Sequence, residues 1–379
     1  MNVLYIYADY PREWNCSRWN AIIPAKSINR LDGHEAKTIH IDDFIKNTPE
    51  IQKICSKANI IVIERNYFSD ALTLMQYWKV RGKTILAVFD DAYDLIHPMN
   101  ASYKFWNKSF IDIKNKEGEV KTLKMKPSPL TQFKWALKIV KGIQVPSVNL
   151  AEDWSKYNNT YYVHNFLDID GYLNVQPLFP KKKNEIVIGW CGSMSHHYSF
   201  TDSGVLRALE KIAKQYPQVK ILISGDKRIY DMINVEKKTF SKFVPAKQWT
   251  PLLKSIDIGL APLYGEFDKR RSWIKALEYM ALKIPWIATN YLTYNEVKDY
   301  GKLTKNGYNN WIDAISDVIE RYDYYKEIAE TTGFEFAQSQ SSYEKIKTVT
   351  LPLYKKLITS EYPLFENKST KAYLNPLDW

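Results

Sequence analysis

Cysteine is scarce: Cys16, Cys55 and Cys191 are all that 379 residues offer. An odd, widely spaced set without a Cys-x-x-Cys pair argues against a disulfide framework and a zinc site, and fits a reducing, cytoplasmic setting. Long apolar runs are missing too; none approaches the roughly 18 residues that a membrane span needs. Met1 leads into a short apolar run, VLYIY, without a basic start or small-residue cleavage site, so it reads as a first strand rather than a signal peptide. No internal repeat or low-complexity tract is present, which excludes a solenoid or a compositionally biased linker protein. What remains is 45% hydrophobic and 25% charged, the balance of a soluble globular protein. The chain is too long for one ordinary core and fits two domains.

Acidic charge is in deficit, with a net charge of +11. Between Lys104 and Lys141 ten lysines face only Asp112, Glu117 and Glu119, with no arginine. Such a surface attracts polyanions: nucleic acid, an anionic membrane face or a phosphorylated acceptor. Generic solubility charge accounts for it equally well. The 27 Tyr and 12 Trp suit sugar stacking, although core and interface are their commoner places.

Strands and helices alternate along the chain. Strands are expected at 2–8, 36–41, 59–64, 84–89 and 142–146, with helices near 22–31, 49–57, 70–81 and 131–141 between them. In an open sheet of this kind, ligands bind beyond the carboxyl ends of the strands. The first such loop carries Arg18, Trp19 and Asn20 ahead of a helix, and Arg18 is a candidate acceptor or phosphate contact, with Trp19 beside it. The fourth ends in FDDAYD, projecting Asp90, Asp91 and Asp94. Residues 100–130 read as basic and irregular, with Glu117-Gly118-Glu119 a turn. Pro177, Pro180 and Lys181-Lys182-Lys183 mark an exposed linker. Beyond it, strands are expected at 186–190, 219–224 and 239–244. The second ends in Gly225-Asp226-Lys227-Arg228, placing two cations at a strand's carboxyl edge.

The stretch SIDIGLAPLYGEFDKRRSWIKALEYMALKIPWIATN, residues 255–290, organises the rest. It reads as strand, basic loop, helix and strand, the spacing of a parallel crossover. Ser272 is the expected N-cap, and Ile274, Leu277, Tyr279, Met280 and Leu282 form an apolar face at helical spacing. Lys269, Arg270 and Arg271 precede the helix start, where free N–H groups and the helix dipole already favour anions. A diphosphate there, with a ribose on Glu278 and Lys275 nearby, would use all these groups. A solvated basic helix start is the plain alternative.

The run FDKRRSWIKALEYMALKIPWIAT resembles the donor-binding segment of GT-B glycosyltransferases of the family 4 type (glycosyl transferases group 1), as found in bacteria and phages. That resemblance implies that Arg271, Ser272 and Lys275 hold the nucleotide diphosphate and Glu278 the ribose. At the position where the family often has a sugar-contacting Glu, this chain has Arg270. WCGSMSH, residues 190–196, resembles the family's first donor-domain strand and loop, which implies that Gly192, Ser193 and His196 approach the diphosphate or transferred sugar. FDDAYD resembles the strand-end DDxxD of some of these enzymes, with Phe89 at a His-like position; Asp90 and Asp91 would orient the acceptor or donor sugar. TYYVHNFLDID is similar to the segment that closes the first domain. The Gly-Gly pair that related enzymes often carry after the first strand is absent.

The implied fold is α/β, GT-B: two Rossmann-like parallel-sheet domains facing a central cleft, residues 1–170 for the acceptor and 171–342 for the donor, with 343–379 packing back on the first. The implied activity is transfer of a sugar from a nucleotide diphosphate, UDP-sugar foremost, with retention. No metal or further cofactor is expected. Asp90, Asp91 and His196 are the catalytic candidates; Lys227, Arg228 and Arg270 join the donor-binding set. The acceptor would be a glycan or lipid-linked glycan, or a modified base in DNA, so that the protein sits in the cytoplasm, peripheral to a membrane or on DNA. A non-catalytic nucleotide-sugar or nucleic-acid binding module of the same descent is the alternative that Arg270 keeps open.

Overall fold

The computed structural model describes residues 1–10, 15–100, 102–114, 119–363 and 373–374. Glu117 and Gly118 of the expected turn, and most of the tail after Pro363, lie outside the described residues. The chain forms two compact units, Met1–Phe166 with Ser342–Trp379, and Leu167–Ser341.

In chain order the strands of the first unit are β1 (Asn2–Tyr7), β2 (Glu35–His40), β3 (Ile60–Glu64), β4 (Thr84–Val88), β5 (Phe110–Lys114), β6 (Val120–Lys124), β7 (Gly142–Val145) and β8 (Thr160–Tyr162). Those of the second are β9 (Ile186–Gly192), β10 (Val219–Gly225), β11 (Lys238–Ser241), β12 (Ile258–Ala261), β13 (Trp286–Thr289) and β14 (Lys302–Thr304). The two-residue β15 (Tyr373–Leu374) rejoins the first unit.

The first sheet runs β15-β8-β7-β4-β3-β1-β2, and every pairing in it is parallel. Its central strands β3 and β4 are buried along their whole length, as a sheet covered on both faces requires. The chain's last helical segment closes the unit. Leu351, Leu353, Tyr354 and Leu357 enter its core, and the Tyr354 hydroxyl lies 3.2 Å from that of Tyr5 on β1.

The second sheet runs β11-β10-β9-β12-β13-β14, again all parallel. Ile188, Trp190, Ile221, Ile223, Ile258 and Leu260 make its core with Val205, Leu209 and Ile212 of the helix Val205–Gln215 and with Trp311 and Ile315 of Tyr308–Glu320. That helix places its apolar residues on one stripe, which is why so polar a sequence packs there.

Three sequence expectations need correction. Ser272 does not cap the key helix: the helix is Ile274–Ala281, its N-cap is Trp273, and no side chain closes that end. Arg18, Trp19 and Asn20 do not precede a helix but lie inside one; Asn15–Ser17, a π-turn at Arg18–Ile22 and Ile23–Ile28 run on continuously. The region 100–130 is not irregular throughout. It holds a short helix, Tyr103–Trp106, and the antiparallel hairpin β5–β6, whose Phe110, Val120, Leu123, Lys121 and Lys124 are exposed.

Candidate functional site

In the second unit the carboxyl ends of β9, β10 and β12 gather the sequence-identified residues. Gly192 ends β9 and Gly225 ends β10, paired with each other in the ladder. Gly225 sits at φ +94, and a Cβ there would collide with the Gly192 carbonyl oxygen. The two strand ends therefore approach as closely as glycine allows. Gly192 cannot carry a Cβ either, because the ring of Trp190 fills that space.

Arg271 lies at the centre. Its Nε donates to Asp268 Oδ1 at 3.1 Å, and its Nη2 donates to Ser195 Oγ at 3.1 Å. Asp268 is itself buried and receives the Ser199 hydroxyl and the Tyr264 N–H at 2.9 Å. The guanidinium is thus fixed before any ligand arrives. Lys275 stands in the first turn of Ile274–Ala281 and donates to the Cys191 carbonyl at 2.6 Å. Burial holds its ammonium below the usual lysine range, an effect that Glu278 and Cys191 oppose and Arg271 reinforces. His196 faces the same two cations; burial first, and then their charge, drives its imidazole far down, so the ring is neutral. Its Nδ1 is buried without a hydrogen-bond partner. A lysine at a helix N-terminus opposes the dipole, and a second cation beside it adds repulsion. An anion bound there would relieve both.

Glu278 is 4% exposed, and its Oε1 receives the Tyr172 hydroxyl at 2.8 Å and the Trp249 indole N–H at 2.6 Å. Neither of these partners was singled out by the sequence. Ser193, exposed, shares a 2.8 Å hydroxyl contact with Ser195, and Ser272 lies two residues before the helix.

Other expected donor contacts are engaged differently. The three cations of the loop are not left to repel one another. Arg270 Nη1 donates to Glu266 Oε2 at 2.7 Å and Lys269 Nζ to Glu266 Oε1 at 2.5 Å, each across one helical turn. Beyond β10, Arg228 grips buried Asp226 through Nε at 2.9 Å and Nη2 at 2.7 Å, while His197 Nδ1 meets the same carboxylate at 3.0 Å. Lys227 pairs with Asp231 at 2.5 Å on the surface.

Asp90 and Asp91 belong to the first unit, at the end of β4. Asp90 Oδ1 is buried without a hydrogen-bond partner, and the Cys16 thiol lies against the same carboxylate. Around it stand residues that the sequence reading passed over. Glu64 ends β3, buried. Arg65, in the left-handed region at φ +36, forms an ion pair with Asp9. The two expected acceptor contacts, Arg18 and Trp19, lie on the π-turn Arg18–Ile22, with the Arg18 guanidinium 5.8 Å from the Trp19 ring centroid. Among the described residues no group of three His, Cys, Asp or Glu side chains is placed to hold a metal ion.

Residues 185–321 match the family model described as glycosyl transferases group 1. No curated protein matches the sequence. Among solved structures, Anabaena HepE in complex with UDP and glucose superposes with a TM-score of 0.63 at 14% identity, covering 94% of this chain and 100% of its own. Sucrose-phosphate synthase from Thermosynechococcus elongatus gives 0.60 at 13%, covering 94% and 98%. UDP-GlcNAc 2-epimerase from Neisseria meningitidis, bound to UDP-GlcNAc, gives 0.54 at 12%, covering 94% and 100%. Likeness at such low identity establishes the fold, while the family match covers the segment that holds Gly192, His196, Arg271, Lys275 and Glu278. With both sheets parallel and Rossmann-like, the chain has the two-unit fold of the structures it superposes on, and its second unit carries the segment similar to glycosyl transferases group 1.

Proposed function

We propose that the second unit binds a nucleotide-diphosphate sugar, a UDP-sugar foremost, and that the protein transfers the sugar with retention to a hydroxyl-bearing acceptor on the first unit. The observation that carries this reading is the convergence of Arg271 and Lys275 on the open N-terminus of Ile274–Ala281, beside a neutral His196. Breaking the bond from sugar C1 to the phosphate oxygen leaves charge on the diphosphate. Two fixed cations and helix-terminal N–H groups stabilise that charge as it develops, without reorganising. The leaving phosphate then accepts the acceptor's proton, so no side-chain base is required. Glu278 would take the ribose hydroxyls, adding to or exchanging its Tyr172 and Trp249 contacts. Gly192 and Ser193 let the backbone approach the diphosphate, and neutral His196 offers a hydrogen bond to the sugar. Lys227, Arg228 and Arg270, each engaged with an acid, are outer contributors to the positive field.

On the first unit, Asp90 and Asp91 would orient the acceptor and Arg18 with Trp19 would contact it. The exposed lysines 104, 108, 121, 124 and 126 favour an acceptor carrying anionic groups. The HepE structure, with UDP and glucose, supports UDP as the nucleotide.

A thermal-shift panel of nucleoside diphosphates, followed by their sugar conjugates, tests the reading. UDP should raise the melting temperature, and a UDP-sugar with acceptor should release UDP. Stabilisation by UDP-sugar with no UDP release under any acceptor condition would instead select the non-catalytic module, which Arg270 favours by replacing an expected sugar contact.

A further inference from the structure

At the end of β3 a carboxylate is committed to holding a single segment. Glu64 is 1% exposed. Its Oε2 accepts the Ala8 N–H at 2.9 Å and the Ser17 hydroxyl, and its Oε1 accepts the Asn20 amide at 3.2 Å. Ser17 is locked from its other side, because its N–H donates to Asp9 Oδ2 at 2.9 Å and its Oγ accepts the Asp9 N–H at 3.0 Å. Asp9 in turn pairs with Arg65. Between Ser17 and Asn20 lie Arg18 and Trp19, on the π-turn Arg18–Ile22. A π-turn disrupts the regular helical ladder and recurs at functional sites.

We propose that Glu64 is a positioning residue for acceptor binding, fixing through its three hydrogen bonds the turn that carries Arg18 and Trp19. This rests on the acceptor assignment made above. The groups facing Glu64 are Asp90 from the end of β4, Ser17 and Asn20 from the helix, Ala8 after β1, and Tyr67 just beyond β3; Cys16 and Arg65 complete the surroundings. Burial and then Asp90 raise its carboxyl to about 7, against the pull of its three donors.

The test compares the full chain with Glu64→Gln, which keeps the size but cannot ionise and places an amide donor against Ala8 and Ser17. In Glu64→Gln, KM for an acceptor that supports UDP release should be about tenfold higher, with UDP affinity and kcat at saturating acceptor little changed. Asn20→Ala loses one of the three bonds, so it should show a smaller KM rise; it also serves should Glu64→Gln fold poorly. Amide exchange at Ala8 and Ser17 should be faster in Glu64→Gln than in the wild type at the same pH. Wild-type KM in Glu64→Gln, or unchanged exchange at both amides, would overturn the proposal. Failure of the transferase reading looks different. No variant would then release UDP while the exchange pattern persisted, and the acceptor role would fall with it.

Discussion

Arg271 and Lys275 are the residues whose geometry is least explicable without an anion. Both are held by neutral or acidic protein groups at one end of a helix whose dipole disfavours them. If they neutralise a departing diphosphate, Arg271→Ala or Lys275→Ala should lower kcat by about 10² to 10³ while acceptor KM changes little. Release of UDP from saturating UDP-sugar is the measurement, and unchanged turnover removes the residue from the mechanism. Glu64 makes a second residue-scale case, through stability. Its folded-state pKa, about 7, lies above the ordinary 4.5, so the native state binds more protons than the unfolded state between those values. Stability from this group is therefore full below about pH 4.5 and declines by about 3 kcal/mol as pH rises through about 7. Urea midpoints across that range, wild type against Glu64→Gln, should show the decline only in the wild type. The two cases also differ in how legible they were. Arg271, Lys275 and Glu278 lie within eight residues of one another on a basic loop and helix, so short-range spacing exposes them. Glu64, Arg65 and Asp9 are lone polar residues at strand ends, and Asp268 is one acid on a basic loop. What each means depends on partners that only the folded sheet brings up, as Tyr172 and Trp249 are brought to Glu278.

Among the elements, the paired strand ends β9 and β10 decide whether the donor loop can exist in this form. Gly225 combines a left-handed φ of +94 with contact against the Gly192 backbone, which no side chain can share. Gly225→Ala should destabilise the second unit by about 1 to 3 kcal/mol and push the Ser193–His196 segment out of place. Denaturant midpoints should fall and UDP affinity should weaken with them; a variant as stable as the wild type would show that the edge is less tight than its geometry states. Buried strands and alternating helices were legible because apolar runs such as Ile60–Ile63 and Ile85–Val88 have few alternatives in an α/β chain. Helix starts were harder. Ser272 looks like a cap, yet the helix begins only at Ile274 with Trp273 as its N-cap, and Asn15 opens the helix earlier than the apolar pattern from Ile22 suggests. The hairpin β5–β6 was missed because its lysines and exposed apolar residues give neither a clean alternation nor a buried face.

At the scale of the molecule, the second unit is one uninterrupted stretch, Leu167–Ser341, whereas the first needs both ends of the chain. The second unit also owns its core, from Ile188 on β9 to Tyr325 on the helix Tyr322–Glu330, and its sheet completes every pairing internally. Each residue assigned to the nucleotide lies within it: Gly192, Ser193, His196, Lys227, Arg228, Arg270, Arg271, Ser272, Lys275 and Glu278. A fragment of residues 167–341 should therefore fold on its own, unfold cooperatively, and bind UDP with an affinity within about tenfold of the full chain. Under the proposed function it should transfer no sugar, because the residues proposed to hold the acceptor, Asp90, Arg18 and Trp19, belong to the first unit. Calorimetric titration of the fragment with UDP separates two cases. Retained affinity places nucleotide recognition wholly on the second unit. A folded fragment that has lost UDP binding would mean that residues of the first unit complete the nucleotide site, and the assignment of Arg271 and Lys275 as sufficient diphosphate ligands would have to be given up.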